Sequence, residues 1–523
     1  MDTKALRQKV LDLAIHGKLV PQDPNDEPAS VLLERIRQQK QQMVKDGKLK
    51  AKDIKNDTII FVGEDNLHYE KFANGSVKCI ENEIPFELPV GWAWARLGTI
   101  SEAIGDGDHQ PPPQTFSGIP FLVISNVSGG KLSFENTRFV SAEYFNQLPE
   151  ARKPQKGDLL FTVTGSYGIP ILVDTDDNFC FQRHIAIVRP CITSNRYLHV
   201  VLGSSYVKSV CDDKATGTAQ KTVGLATLRE LLIPVAPYNE QVRIYTQVQA
   251  AMSIVNSISS EKEDLLIIIE NTKSKILNLA IRGQLVPQDP ADEPASVLLE
   301  RIRAEKEELI KQGKLKRDKK ESVIFRGEDN SYYLRTGDLV ESLEDWAFEE
   351  LPDSWAICCL GELCDYGNCL NVDTASISDS AWILDLEDIE KDSGVVLRKV
   401  RKSERNAAST KHFFHRGQVL YSKLRPYLNK VVLSDEDGYC TSEILPLEFE
   451  RNVLPQYARY YLMSPVFLEY ANKCSYGVKM PRLGTVDGKK SIISIPPIEE
   501  QKRIVFAIEQ AFTQLAAITR NLL

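Results

Sequence analysis

The string LVPQDPNDEPASVLLERI at residues 19–36 returns 266 positions later as LVPQDPADEPASVLLERI at residues 285–302, with Asn25 replaced by Ala291 as the sole change. No other feature constrains the fold as much, because a repeated segment must find the same surroundings twice. The repeat extends along the whole chain. GEDN at 63–66 returns at 327–330, and ELPVGWAWARLG from Glu87 returns as ELPDSWAICCLG from Glu350. GDLLFTVTGSYG from Gly157 has its counterpart in GQVLYSKLRPYL from Gly417. IPVAPYNEQVRI from Ile233 returns as ISIPPIEEQKRI from Ile493, so Gln241 and Arg243 match Gln501 and Arg503. A period this long is not that of a solenoid, whose units run roughly 20–50 residues. It describes a duplicated domain pair.

Similarity is uneven within the duplicate. The doubled string and the EQxRI segments match closely. Residues 90–235 and 353–495 share a skeleton of short apolar runs and few other residues. One scaffold presenting two different inserts follows from that pattern. The inserts carry strand-like runs such as GIPFLVIS, DLLFTVTG, IPILVDT and HIAIVRP in the first, and AWILDLED, QVLYSKL and KVVLSD in the second. Punctuated by Gly, Pro and Asp, they predict mixed α/β domains within an α+β chain.

Between the inserts the period changes to that of a helix. Val242, Tyr245, Val248, Met252 and Val255 recur by threes and fours, and the pattern resumes at Leu265, Ile269, Thr272, Ile276 and Leu279. Val505, Ile508, Phe512, Leu515, Thr519 and Leu522 repeat it at the C-terminus. These are coiled-coil seams, with burial against the helix's own domain as the plainer alternative. The C-terminal helical segment from Glu500 has 24 residues and the N-terminal one has 19, which together nearly match the 46 of the central segment at 240–285. The expected architecture is pseudo-two-fold, with a pair of long antiparallel coiled-coil helices joining the inserts. The expected divisions are residues 1–85 (N-terminal helix and first repeated extension), 86–237 (first insert), 238–284 (central helix), 285–348 (second extension), 349–497 (second insert) and 498–523 (C-terminal helix).

Chemistry-bearing motifs are scarce. Neither a phosphate-cradling GxxxxGKS/T nor a GxGxxG after a strand occurs, and TGSYG at 164–168 lacks the spacing of a nucleophile elbow. GDGDH at 105–109 lacks the spaced oxygen ligands of a Ca²⁺ loop. Cys358, Cys359, Cys364 and Cys369 do not have the paired short spacings of structural zinc, and the seven histidines are unclustered. No metal site and no catalytic residue is expected. The ten scattered cysteines, the absence of a secretory h-region and the absence of a membrane-length apolar run predict a cytoplasmic protein.

Basic residues gather locally although the formal net charge is −8. Arg398, Lys399, Arg401, Lys402 and Arg405 crowd LRKVRKSERN, and Lys423, Arg425, Tyr427 and Lys430 mix cations with an aromatic in KLRPYLNK. Such clusters suit DNA phosphates and guanine edges, although a solvated face is the ordinary reading of any one of them. At the matching loop of the first insert stand Thr164, Ser166 and Tyr167, with Gln182 and Arg183 nearby in sequence and His109 in the Gly-Asp loop. Gln220 and Lys221 in GTAQKTVG lie opposite Lys479 and Arg482 in YGVKMPRLG. Two further basic runs, KDGKLKAKDIK and KQGKLKRDKK, have interleaved aspartates and read as solvated helix ends.

Two variable inserts alternate with near-identical frames, and each closes on IPxxxxEQxRI before a long helix. With SGIPFLVISNV and DGDH in the first insert and WILDLEDIEKDSG and LYSKLRPYLNK in the second, the chain resembles the specificity subunit of a type I restriction–modification system over essentially its full length. The extension before the first insert departs from the shortest members, in which the insert opens the chain. The resemblance implies a non-catalytic subunit whose two target-recognition domains each read one half of a split double-stranded DNA sequence. Its helices would set the spacing and dock two methyltransferase subunits, joined by restriction (motor–nuclease) subunits. Gln241, Arg243, Gln501 and Arg503 are then candidates for partner docking. No cofactor is expected in this chain; S-adenosylmethionine, ATP and Mg²⁺ would belong to the partners. In keeping with that, IPPI at Ile495 lacks the polar first residue and the aromatic of a methyltransferase motif. A protein-binding adaptor with two divergent modules is the alternative, and a self-sufficient enzyme is the third reading.

Overall fold

A computed structural model describes residues 2–108, 112–218, 220–313, 322–329, 331–343, 351–405 and 409–522. The chain divides into two units, 1–262 and 263–523. The expected His109 and Asn330, and most of the second basic run, lie outside the described residues.

In each unit the two strands bracketing the insert pair with each other. Ala93–Arg96 runs antiparallel to Leu232–Val235, with Ala95 opposite Ile233. Ala356–Cys359 does the same with Ile492–Ile495, with Cys358 opposite Ile493. These are the ELP…W…LG and IP… landmarks of the sequence, and their pairing brings the ends of the insert together. An insert anchored this way can change internally without moving the frame.

Between the clamps the two inserts use different sheets. The first has a four-stranded sheet in the order Ser101–Asp106, Ile185–Pro190, Leu159–Thr162, Pro170–Leu172, and a three-stranded one built on Ile119–Leu122. The second has a five-stranded sheet with Gly438–Thr441 at its centre and a three-stranded sheet centred on Val419–Ser422. Each insert also contributes a helix pair, Asn195–Leu202 with Ser205–Lys214 and Pro455–Met463 with Pro465–Lys473. The fold is α+β, with the expected apolar runs forming the buried strands.

The frame begins with α1, Thr3–Ile15, whose N-terminus is capped by Asp2 accepting from the Lys4 and Ala5 amides. Its end, Ala14 and Ile15, is buried in the first unit's core, and Asp12 accepts a 2.7 Å bond from the Ser205 hydroxyl. Helix α2, Ala29–Lys45, follows Pro28, which stands just outside the helix as its cap rather than in its first turn. The long helix α3, Tyr238–Ile281, has 44 residues and is about 66 Å long at 1.5 Å per residue. Helix α4, Ala295–Lys311, repeats α2, and α5, Ile498–Leu522, closes the chain. In the second unit Leu277, Ala280 and Ile281 at the end of α3 enter the core as Ala14 and Ile15 do in the first. Gly17 and Gly283 end these two helical stretches at φ +63° and +68°, with a proline (Pro89, Pro352) where a Cβ would sit. Glycine is required there on both counts.

The expected helical seam is partly corrected. Val248 and Val255 are buried, but Val242 is 48% exposed, and Ile244 is buried in its place. Once the first turn of α3 docks on its own unit, the docking face rather than a regular three-four repeat decides which residues are covered.

The doubled string has a local cause. In the first unit Asp26 accepts a 2.5 Å bond from the Arg243 guanidinium, while the Trp92 indole donates to buried Glu240 at 3.0 Å. In the second, Asp292 pairs with Arg503 at 2.7 Å and Trp355 donates to Glu500 at 3.0 Å. Gln241 and Gln501 are completely buried. Gln241 accepts from the Ser194 amide at 3.0 Å and donates to the Ala236 carbonyl at 2.8 Å. Gln501 accepts from the Leu454 amide at 2.8 Å and donates to the Pro496 carbonyl at 3.0 Å. Ser194 and Leu454 are the N-cap residues of the helices that follow them, so each glutamine secures a helix start. The expectation that Gln241 and Gln501 face a partner is therefore corrected. Arg243 and Arg503 keep about a third of their side chains exposed (35% and 34%), but each is already paired to the doubled string.

The carboxylates of this latch respond to pH in opposite senses. The bond from Arg243 holds the Asp26 carboxyl below its ordinary value, so its contribution is present at neutral pH and is lost as pH falls through the depressed value. Burial pushes Glu240 and Glu500 above the ordinary 4.5, so these two cost stability as pH rises from 4.5. The copies also differ. The second carboxylate oxygen of Glu500 accepts from Gln288 at 2.7 Å, whereas that of Glu240 is buried with no partner. Trp92→Phe leaves Glu240 without any side-chain donor and should destabilise the first unit by about 1–3 kcal/mol, the usual cost of an unsatisfied buried group. Trp355→Phe should cost clearly less, because Gln288 remains. Urea unfolding at pH 7 compares the two, and equal losses would contradict this account of the latch.

Candidate functional site

In both inserts a core strand runs out into a loop that is stitched to a second loop near the insert's end. In the first unit Leu159–Thr162 leads into TGSYG, where Gly165 and Gly168 take φ values of +74° and +91°. Thr164 bridges Thr222, the Gly165 amide donates to the Lys221 carbonyl at 3.2 Å, and the Val223 amide donates to the Val163 carbonyl at 2.8 Å. Ser166, Gln220 and Lys221 are thereby exposed side by side, while Thr164 is buried. The Val163 amide also donates to the His184 carbonyl at 2.9 Å, which brings the turn with Gln182 and exposed Arg183 to the same strand end. Every described candidate of the first insert is thus gathered in one place. Tyr167 is engaged: its hydroxyl donates to Asp212 at 2.7 Å and the Lys208 ammonium lies 4.0 Å from its ring centroid.

In the second unit Val419–Ser422 leads into Lys423, Arg425 and Tyr427. Leu424 bridges Arg482, the Leu483 amide donates to the Lys423 carbonyl at 3.0 Å, and the Arg425 amide donates to the Pro481 carbonyl at 2.7 Å. Arg425 has φ +50° and Asn429 φ +47°, a conformation that costs a non-glycine residue about 1 kcal/mol or more. This backbone turns out the Pro426–Leu428 turn, where Tyr427 is 49% exposed. Beside it lies the exposed tip with Tyr476, Val478 and Met480, the valine fully in solvent. Lys423, Arg425 and Lys479 have no carboxylate partner among the described residues, and the Arg425 Nε is buried without an acceptor. Arg482 is different, because its guanidinium grips Glu443 through Nε at 3.0 Å and Nη2 at 2.8 Å.

The basic run at 398–405 is paired with carboxylates of the fold. Arg405 makes a two-pronged contact with fully buried Asp388 at 2.7 and 2.8 Å, and Arg398 adds a third bond at 2.8 Å. Arg401 pairs with Glu436 at 2.9 Å, Lys399 with Asp435 at 2.7 Å and Lys402 with Asp379 at 3.3 Å. Burial works to raise the Asp388 carboxyl, but the bonds from Arg405, the Asp385 amide and Arg398 outweigh it and hold the group low. Lys430 donates to the Leu386 carbonyl at 2.6 Å beside this cluster, and its burial lowers its own pKa. Arg398 and Arg401, expected as DNA contacts, are matched by carboxylates of the fold while 58% and 42% of their side chains stay exposed. For Arg398 and Arg405 the signal stands in sequence as the acidic stretch LDLEDIE at 384–390, whereas the partner of Arg401, Glu436, lies far outside it.

Among the described residues no group of three or more His, Cys, Asp or Glu could hold a metal. Cys358, Cys359 and Cys364 are core residues, and burial pushes the Cys358 and Cys364 thiols well up. His412 is buried in its strand with Nδ1 2.9 Å from the Ile444 carbonyl. The arrangement offers hydrogen-bond donors, cations without a carboxylate partner among the described residues and an exposed aromatic. That is equipment for recognition.

The family model described as "Type I restriction modification DNA specificity domain" matches residues 352–523. The chain is 30% identical over 418 residues to the EcoAI specificity subunit of Escherichia coli, covering 70% of this chain and 63% of that protein. It is 28% identical over 413 residues to the EcoEI specificity subunit of Escherichia coli, covering 69% and 61%. The chain thus spans a little under two thirds of the length of these relatives. Its fold is similar to that of a chain from a solved structure concerned with complex assembly and conformational transition of the type I R-M system. That match has a TM-score of 0.54 and 17% identity, and covers 84% of this chain and 94% of that one.

The two classes of cation in the second insert separate by mutation. Arg405→Ala removes two of the bonds to buried Asp388, leaving those from Arg398 and the Asp385 amide, and should cost about 1–3 kcal/mol of stability. Lys423→Ala, with no partner to lose, should stay within about 0.5 kcal/mol of the parent. Chemical denaturation of the two variants checks this.

Proposed function

The chain belongs to the family of type I restriction–modification specificity subunits, and on that premise we propose that each insert reads one half of a split double-stranded DNA sequence. The observation that carries this reading is the recurrence of one two-loop junction in both units with different side chains on it. Half-sites of different sequence need readers that share a position and differ in chemistry. In the second insert Lys423, Arg425 and Lys479 suit phosphates and guanine edges, and Tyr427 supplies an apolar contact. Arg482 adds charge only at the expense of Glu443. In the first insert Ser166, Gln182, Arg183, Gln220 and Lys221 form a less charged set, in which the amides suit adenine. Thr164 and Tyr167 support it, with His109 a candidate from the sequence outside the described residues, and Arg398, Arg401 and Lys430 are further candidates in the second insert. The overall charge of −8 does not oppose this, since binding depends on local patches.

The frame supplies spacing. We assign to α3 and to the helix pieces α1 and α5 the role of an antiparallel coiled-coil ruler, with half-site separation set by helix length. The chain does no chemistry itself. It docks two methyltransferase subunits, which bring S-adenosylmethionine, and restriction subunits that bring ATP and Mg²⁺, in the cytoplasm. No helix among the described residues is long and apolar enough to cross a membrane.

Arg425→Ala should weaken recognition of one half-site by about tenfold or more and leave the other unchanged. Lys423→Ala should weaken binding to all sequences alike and reduce the salt slope by about 1. Footprinting of the complex with its methyltransferase, and titration across 50–200 mM salt, read both effects. Equal affinity for scrambled DNA would sink the reading and favour a protein adaptor.

A further inference from the structure

Two identical partners need two identical faces, and the doubled string contains its own control for where such a face lies. Part of its identity is internal. Ala29, Leu32 and Ile36 are core residues, Asp26 holds Arg243, and Asp23 caps the turn through the Asn25 amide. Several exposed positions are bonded within the fold as well, Asp23 in the turn, Gln22 and Gln288 to nearby acceptors and Glu27 with Arg35, but the side chains of Ser30 and Val31 have no such bond among the described residues. Between residues 21 and 35, ten of the eleven exposed positions carry the same residue in the second copy, where all eleven are again exposed. Farther along the same helix, between 38 and 46, only one of six exposed positions is the same. A contact kept on one half of the helix would leave such a boundary, and the latch accounts for its buried residues but not for Ser30 and Val31.

Among the described residues Ser30 and Val31, inside this boundary, have no side-chain partner, whereas Glu34 is paired with Arg37 and Arg35 with Glu27. Ser30 and Val31 lie on an exposed stripe of α2 with Glu34 and Arg35, and Ser296 and Val297 repeat them on α4. Val31 is 41% exposed and Val297 38%. An exposed valine on a helix sacrifices helix propensity and leaves apolar surface in water, and here both copies keep it. The stripe is flanked by the Glu27–Arg35 pair, matched by Glu293–Arg301, and by the bond of Arg37 to Glu34. Its carboxylates make it a poor phosphate surface, which leaves a protein as the occupant.

We propose that the Ser30–Val31 stripe of α2 and the Ser296–Val297 stripe of α4 are equivalent docking faces, each taking one copy of the same partner chain, the methyltransferase subunit. This rests on the reading that such subunits dock here, and it moves the contact to the first half of the repeated helices and away from the EQxRI residues. The test uses the full chain co-purified with the methyltransferase subunit of its own system, with stoichiometry read by native mass spectrometry. The parent should carry two partners, Val31→Arg and Val297→Arg one each, and the double variant none. Ser30→Arg should behave like Val31→Arg, and Gln38→Arg, on the diverged half of α2, should keep two. Unchanged melting temperatures verify that the variants fold. A double variant that still carries two partners, or a single variant that loses both, overturns the twin faces. A parent chain that binds no methyltransferase overturns the docking reading itself.

Discussion

The rest of the molecule depends on the buried contact at the start of α3 and α5. Glu240 and Glu500 sit in the core, each bonded to a tryptophan indole, and three residues farther on Arg243 and Arg503 reach an aspartate of the doubled string. A buried carboxylate is tolerated only where donors are already in place. The long helix, the clamp strand and the DPxDEP turn must therefore arrive together, although residues 26, 92 and 240 are far apart in sequence. This three-way requirement explains why the string, the tryptophan and EQxR are all kept in both halves. The middle of each half is released from it.

That freedom shows in the inserts. Once the clamp strands pair, sheets of four and three strands, or five and three, satisfy the same frame. What stays constant is a junction where a core strand runs out and a late loop is bonded across it. Loops carried on such a rigid support can vary in chemistry while holding their position. In the second insert the junction separates two uses of positive charge. Arg398, Arg401 and Arg405 are matched by carboxylates of the fold, while Lys423, Arg425 and Lys479 have no carboxylate partner among the described residues. Local density of basic residues does not distinguish these uses, because the carboxylates that neutralise the first group lie up to 35 positions away in sequence.

The same separation limits what each charge can say about pH. Asp26 and Asp388, bonded to arginines, strengthen the fold where they are ionised, whereas Glu240 and Glu500 weaken it there. The two responses occupy different pH ranges, below 3.8 for Asp26 and above 4.5 for Glu240 and Glu500, so the latch is strongest between them.

By itself the sequence determined the duplication, the strands of both inserts, the long helix and the matching of the loop at 164–168 with the one at 424–428. These follow from periodicity and from local rules that act within a few residues. It also carried the resemblance that led to the family. Only the tertiary structure decided which residues of the motifs face inward. Gln241 and Gln501 looked like a docking signature and are buried caps, Val242 gave way to Ile244, and Arg398 and Arg401 were matched by acids. Burial and charge pairing depend on which distant segments meet, and a single sequence does not state that. The doubled string shows both sides: its repetition was plain from the first reading, but only three-dimensional placement separated the residues kept for the latch from those kept on the surface.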